Sequence, residues 1–461
     1  MGRPIWLDEA NSALIAGREI GGIAEALSRD NNLPLYYFVL HAWMRVFGNS
    51  EIALRSLSAV FYLGGCLAVF AMARRFTGQR RAGWYAALFY ESSALAVRQA
   101  QNVRMYSLLG LLSALSTWCW LRVFRDRERS GRAWMWFFVV NALGLLTHVW
   151  FVFVLIGQAA ATVLFERRQI WRFLLSAAGS TLPFVVLWGR VFWEQLHNGA
   201  TGWMPRLQPT LLVLAVFEFY GPVASVLLFA LATYFALRSS SKVAPLFVMF
   251  VVSAAVPLAV SFVKPIYWPG RYLIIALPPL AAILGSVLAA APRALAAAAG
   301  LLVLSLQVPA HIAARELVPE APLPPGQSDR TTARFLLDRA AAGDAIVLTS
   351  LTRAPADHYF NRAGAASRFE EFSFPADTAT HLGWMDPGVS PERRTVLEAE
   401  ANALAAHLRS LASDGRTVWV YDGGAPNVTS ILVRELDGKL RLRAAHALQG
   451  PYHKRILEYG M

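Results

Sequence analysis

The chain has 461 residues, of which 56% are hydrophobic and only 16% charged. A soluble domain usually carries about 25% charged residues, so an ordinary water-exposed globule is excluded. The net charge of +13 does not point to nucleic acid, because the arginines sit mostly between apolar runs, where membrane topology accounts for them. Cys66 and Cys119 both fall inside apolar runs, so no disulfide framework is expected.

In chain order, residues 1–56 open with Trp6-Leu7-Asp8-Glu9-Ala10 and continue through Asn31-Asn32-Leu33-Pro34-Leu35-Tyr36-Tyr37 into an apolar run over 38–47. That run is too short to span a bilayer and has aromatics at its start, the pattern of an interfacial helix. Spans are expected at 57–76, 82–97, 104–123, 133–147, 149–165, 170–190, 210–237, 243–263, 271–290 and 293–312, about ten in all. The fourth and fifth can also be read as one long helix broken around Thr147 and His148. A linker follows over 313–326, Pro-rich from 319 to 325. Residues 327–461 then alternate short apolar runs, such as 345–348 and 417–421, with amphipathic stretches, such as 331–342 and 391–413. That alternation predicts a small α/β domain after an all-α multi-spanning membrane domain.

Orientation follows from the short loops. One set carries fifteen Arg and Lys residues, among them Arg74, Arg75, Arg122, Arg125, Arg167 and Lys242. The alternate set carries six: Arg98, Arg104, Arg190, Arg206, Lys264 and Arg271. The richer set is cytoplasmic by the positive-inside rule. Both the N-terminal segment and the α/β domain are then expected outside, on the periplasmic face of a bacterial inner membrane. An outside segment of 56 residues needs something to carry it across, so a helix preceding Met1 is expected.

The polar clusters fall on the outer face. Asp8 and Glu9 can be read as a proton-abstracting pair or as acids stabilising a helix start. Arg98, Gln101, Asn102, Arg104 and Tyr106 lie in one outer loop, where two guanidinium forks can hold phosphate or snorkel to headgroups. Lys264, Arg271 and Tyr272 bring cations and aromatics to another outer helix start. His148 sits at an outer turn, as a structural group or a substrate contact. Tyr36 and Tyr37 are placed at the entrance of an apolar groove.

With these residues in view, the stretch 6–106 resembles the polyprenyl-phosphate-sugar-dependent transferases of glycosyltransferase family 39, within the membrane glycosyltransferases of the C-type fold. The shared features are Trp6, Asp8, Glu9 and Ala10; Pro34 to Tyr37 with Phe47-Gly48; Ser50, Glu51, Arg55 and Ser58; and Gln101, Arg104, Met105 and Tyr106. Thr147-His148 and Arg271-Tyr272-Leu273 follow. The resemblance implies Asp8 as general base with Glu9 beside it, and Arg104 and Arg271 on a lipid phosphate. It implies a polyprenyl-phosphate sugar as donor and a protein, lipid or glycan as acceptor. The family commonly has Glu where this chain has Asn102, and in relatives that Glu helps bind a divalent metal. An amide is a poorer ligand for a hard cation, so a divalent metal is doubtful here, and either catalysis is metal-independent or the enzyme is impaired. The competing classes are a lipid or sugar transporter and a non-catalytic scaffold. A transporter would need ionisable residues near the membrane midplane, for which Glu91 and His41 are the candidates.

Overall fold

The computed structural model describes residues 2–197, 204, 206–238, 243–316, 329–379, 390–423, 426–447 and 455–461. The expected linker over 319–325 and the loop lysine Lys242 lie outside the described residues.

The chain opens with α1 (Leu7–Ala16), α2 (Ile20–Arg29) and α3 (Pro34–Phe47), followed by α4 (Glu51–Thr77), α5 (Arg80–Glu91) and α6 (Ala94–Ala100). Next come α7 (Tyr106–Trp120), extended by a π-helical turn over Leu121–Arg125, then α8 (Gly131–Thr147), α9 (Phe151–Phe165) and α10 (Ile170–His197). The helical series ends with α11 (Pro209–Phe217), α12 (Pro222–Arg238), α13 (Ala244–Val263), α14 (Leu277–Ala290) and α15 (Arg293–Glu316).

The remainder runs α16 (Asp329–Arg339), β1 (Ala345–Thr349), α17 (Arg353–Arg362), β2 (Glu370–Phe374), α18 (Pro391–Ser413), β3 (Val418–Asp422), α19 (Pro426–Asp437), β4 (Arg441–Ala447) and β5 (Arg455–Gly460). Contacts divide the chain into two compact units. One joins Met1–Gly22, Phe47–Glu51 and Leu317–Met461, and the other joins Ile23–Val46 and Ile52–Glu316. This grouping cuts across the expected segment 1–56.

The larger unit is helical. Every expected apolar run coincides with a helix, but among the described residues only four helices are long and apolar enough to cross a membrane alone: Glu51–Thr77, Tyr106–Arg125, Arg167–His197 and Ala244–Val263. Pro209–Phe217 and Pro222–Leu237 make a fifth if taken together, bent by 79°. Two of the other runs are broken within their length. The run 82–97 stops at Glu91 and restarts at Ala94, where the Ser93 hydroxyl donates to the Phe219 carbonyl at 2.7 Å. The run 210–237 breaks at Gly221, whose φ of 80° suits glycine. The outward faces are apolar: Leu67, Trp171, Leu175, Val186 and Leu187 are all exposed, a surface suited to lipid and not to water. Inside, α5 and α14 pack closely, and a Cβ at Gly285 would come within 2.5 Å of the Ala86 nitrogen.

The smaller unit holds a five-stranded sheet of order β2-β1-β3-β5-β4. β1 runs parallel to β2 and β3, and β5 runs antiparallel to both β3 and β4. β1 and β3 are buried at every position, as expected of central strands covered on both faces. Leu397, Ala401, Ala405 and Leu408 of α18 share a core with Val428, Ile431 and Leu432 of α19 and with Val347 and Val420 of the sheet. The expected α/β domain is therefore present. β2, β4 and β5 lack the continuous apolar runs that revealed β1 and β3.

Candidate functional site

In the smaller unit, Asp8 and Glu9 occupy the first turn of α1. Glu9 is fully buried, and its Oε2 accepts from the Trp6 backbone N–H at 3.4 Å, so it helps to cap the helix start. Asp8 is only partly buried. The helix-start reading therefore describes Glu9, while the Asp8 carboxylate remains in contact with solvent.

In the larger unit, the turn between α6 and α7 presents Gln101, Asn102 and Arg104. Arg104 is almost fully buried. Its guanidinium donates to Tyr37 Oη at 3.3 Å and to Asn32 Oδ1 at 3.0 Å, so the start of α3 fixes its direction. Arg104 and Arg271 both lie within electrostatic reach of the Tyr272 hydroxyl. Three rings pack around that of Tyr272 as an aromatic box. Trp150 stacks on Tyr272 with ring centroids 4.7 Å apart, and Tyr106 and His148 lie 5.8 and 5.3 Å from the same ring. His148 Nδ1 accepts from the Trp150 N–H at 3.1 Å, which places the proton of a neutral imidazole on Nε2.

The loop carrying Arg271 is held from behind by a group the sequence reading missed. Glu218, at the bend between α11 and α12, accepts from Tyr267 Oη at 3.1 Å and from the Gly270 N–H. Arg98 lies within electrostatic reach of the same carboxylate. Gln99 Nε2 donates to the Gly270 carbonyl. Gly270 has φ of +79°, and a Cβ there would sit 2.3 Å from an Arg98 nitrogen, so only glycine fits both the turn and the close approach.

Residues 31–193 match the family described as dolichyl-phosphate-mannose-protein mannosyltransferase. That stretch is similar to glycosyltransferase family 39. The fold of the chain is that of the C-type membrane glycosyltransferases. The crystal structure of ArnT from Cupriavidus metallidurans in the apo state is similar over 98% of this chain and 93% of that one, with 13% identity and a TM-score of 0.64. ArnT bound to undecaprenyl phosphate covers the same shares at 14% identity and a TM-score of 0.54. The archaeal oligosaccharyltransferase AglB from Archaeoglobus fulgidus, in complex with an inhibitory peptide and a dolichol-phosphate, has 11% identity and a TM-score of 0.51. That likeness covers 92% of this chain and 66% of that one. No curated protein matches the chain.

Several expectations for the site need restating. Arg104, Arg271, Tyr272, Tyr106 and His148 come together, but Lys264 ends α13 as an exposed side chain and forms no part of the box. Tyr36 and Tyr37 are fully buried; they brace the interior and do not flank an entrance, since Tyr37 is a hydrogen-bond partner of Arg104. Arg98 faces Glu218 and supports the 264–272 loop from behind. Gln101 turns back on its own helix, donating to the Val97 carbonyl at 3.3 Å.

Asn102 is buried and its Nδ2 donates to Gln99 Oε1 at 3.3 Å, while its carbonyl accepts from Ser58 Oγ at 2.6 Å. Among the described residues no group of three or more His, Cys, Asp or Glu is placed to hold an ion. The donor set at Asn102 does not fit a hard divalent cation. Glu218 and Trp150 were missed for different reasons. Glu218 is the one acid in the apolar run 210–237, a signal available from hydropathy alone. Trp150 gave no signal, because a tryptophan beside a span end is ordinary.

Proposed function

We propose that this chain moves a sugar from a polyprenyl-phosphate donor to an acceptor hydroxyl, with inversion at the anomeric carbon, on the periplasmic face of a bacterial inner membrane. The observation that carries the reading is the convergence of Arg104 and Arg271 on Tyr272 inside an aromatic box. Two guanidinium groups within electrostatic reach of one buried phenol favour an anion beside it. A lipid-borne phosphate meets that need, and the two neighbours solved with undecaprenyl phosphate and dolichol-phosphate support its identity. The asymmetry of loop arginines supports the periplasmic side.

In the reaction, the acceptor O–H gives its proton to the Asp8 carboxylate as its oxygen bonds to the anomeric carbon. The bond from that carbon to the phosphate oxygen breaks, and polyprenyl phosphate leaves with its negative charge against Arg104 and Arg271. Arginine alone can neutralise such a leaving group. The acceptor is a hydroxyl of protein, lipid or glycan.

The test is release of free polyprenyl phosphate, followed by mass spectrometry, when the purified protein in lipid nanodiscs meets a panel of polyprenyl-phosphate sugars. Release is expected with one donor, unchanged by EDTA and reduced by roughly three orders of magnitude in Asp8→Asn. A folded protein that releases nothing with any donor would sink the reading, and an Asp8→Asn variant of full activity would remove Asp8 as the base.

A further inference from the structure

The smaller unit brings together three parts of the chain that lie far apart in sequence. Glu51 is buried beneath two arginines of the α/β domain. Arg330 reaches Glu51 Oε1 at 2.9 Å, and Arg362 bonds Oε2. The Tyr359 hydroxyl sits between them, donating to Glu51 Oε1 at 3.1 Å and accepting from the Ile5 backbone N–H at 2.9 Å. Arg330 also donates to the Gly2 carbonyl at 2.9 Å. Helix α1 packs along α17, with Ala10, Ala13 and Ala16 buried on one side and Ala354, Ala356 and Phe360 on the other. The segment that leads into Asp8 is thus tied by its backbone, at Gly2 and Ile5, to side chains of the α/β domain.

We infer that the α/β domain is a clamp for the helix carrying Asp8, with Tyr359 as the positioning residue that joins Ile5 to Glu51. The inference rests on Asp8 being the base, and it gives residues 329–461 a task other than capturing an acceptor. A phenol is suited to the place. One oxygen both accepts from a backbone N–H and donates to a carboxylate, and the ring of α17 behind it is anchored on the packed helix. Glu51 in turn is fixed by two guanidiniums, so the Tyr359 hydroxyl has one direction in which to donate. Only Trp6 and Leu7 separate Ile5 from Asp8, so a loosened Ile5 amide shifts the first turn of α1. A carboxylate displaced by about an ångström from its acceptor loses much of its rate advantage.

The experiment uses the full-length protein in nanodiscs and the variant Tyr359→Phe. We expect kcat to fall roughly tenfold while the donor KM stays within about a factor of two, because the phosphate is held elsewhere. Backbone hydrogen exchange over residues 3–16 should quicken at the same time. Tyr459→Phe removes a comparable bond in the same domain, from the Tyr459 hydroxyl to Asp437 at 2.8 Å, and should alter neither quantity. Glu51→Gln keeps an acceptor for Tyr359 while discharging the arginine pair, and it should repeat the Tyr359→Phe pattern if the phenylalanine variant folds poorly. Unchanged exchange over 3–16 in both variants overturns the clamp, as does faster exchange with undiminished kcat. An active Asp8→Asn would remove only the base assignment, since exchange over 3–16 still decides whether the domain holds α1.

Discussion

The two units treat buried charge in opposite ways. In the smaller one, acids are met by arginines: Glu51 by Arg330 and Arg362, Glu371 and Asp357 by Arg353, and Asp422 by Arg455. In the larger one, Arg104 donates to Tyr37 and Asn32, and Glu218 accepts from a phenol and a backbone N–H with Arg98 only within electrostatic reach. Ion pairs of the first kind fix geometry and use up their charge in doing so. Hydrogen bonds to neutral groups fix the position of a charged side chain by direction as well as by distance.

The comparison can be broken at its strongest point first. Arg104→Ala should lower kcat/KM for the polyprenyl-phosphate donor by roughly a hundredfold while leaving the fold intact, since on the proposed mechanism its guanidinium meets the leaving phosphate. Donor titrations and melting curves on the same preparation check this, and a large loss of stability with no loss of donor affinity would reverse the assignment. Glu218→Gln is a smaller perturbation. It keeps an acceptor for Gly270 but ends the attraction to Arg98, so kcat/KM should fall roughly fivefold through a looser 264–272 loop.

The smallest effect lies in the ion-paired unit. Burial first, and then the Asp357 charge, raise the Glu371 carboxyl above its usual range, and burial raises Asp357 as well. The folded protein therefore binds these protons more tightly than the unfolded chain. Their stabilising effect is complete below about pH 4 and is lost as pH rises through the elevated folded values. Glu371→Gln should narrow the difference in melting temperature between pH 5 and pH 8 by about 2 °C. A slope identical to that of the parent protein would show that the pair does not titrate in this interval.

Hydropathy made the helical unit legible because each apolar run becomes a helix, and the stretches 345–348 and 417–421 became β1 and β3 because central strands must be apolar throughout. Breaks within the runs were less visible. Ser93 and Gly221 are small residues in apolar company, and nothing local marks them as bends until Phe219 and Glu218 are brought beside them. The same limit applies to exposure. Helices apolar on every side give no periodic cue to which face meets lipid, so Tyr36 and Tyr37 were placed at an entrance although they lie inside. Arg104, Arg271 and Tyr272 were found because charge on the sparsely charged side of a membrane is costly and therefore conspicuous. Lys264 stood out by the same criterion, yet its long side chain simply reaches solvent. Glu51 appeared only as part of a motif, because its partners Arg330, Tyr359 and Arg362 are about 300 residues away.

The circuit from Arg98 and Gln99 through Gly270 to Glu218 bears on any attempt to exchange donor preference between relatives. Three short stretches, near positions 98, 218 and 270, interlock through one glycine that tolerates no side chain. Transplanting the 264–272 loop alone would set a foreign turn against a native carboxylate and a native guanidinium. Chimaeras built from this scaffold will therefore have to move all three stretches as a single cassette.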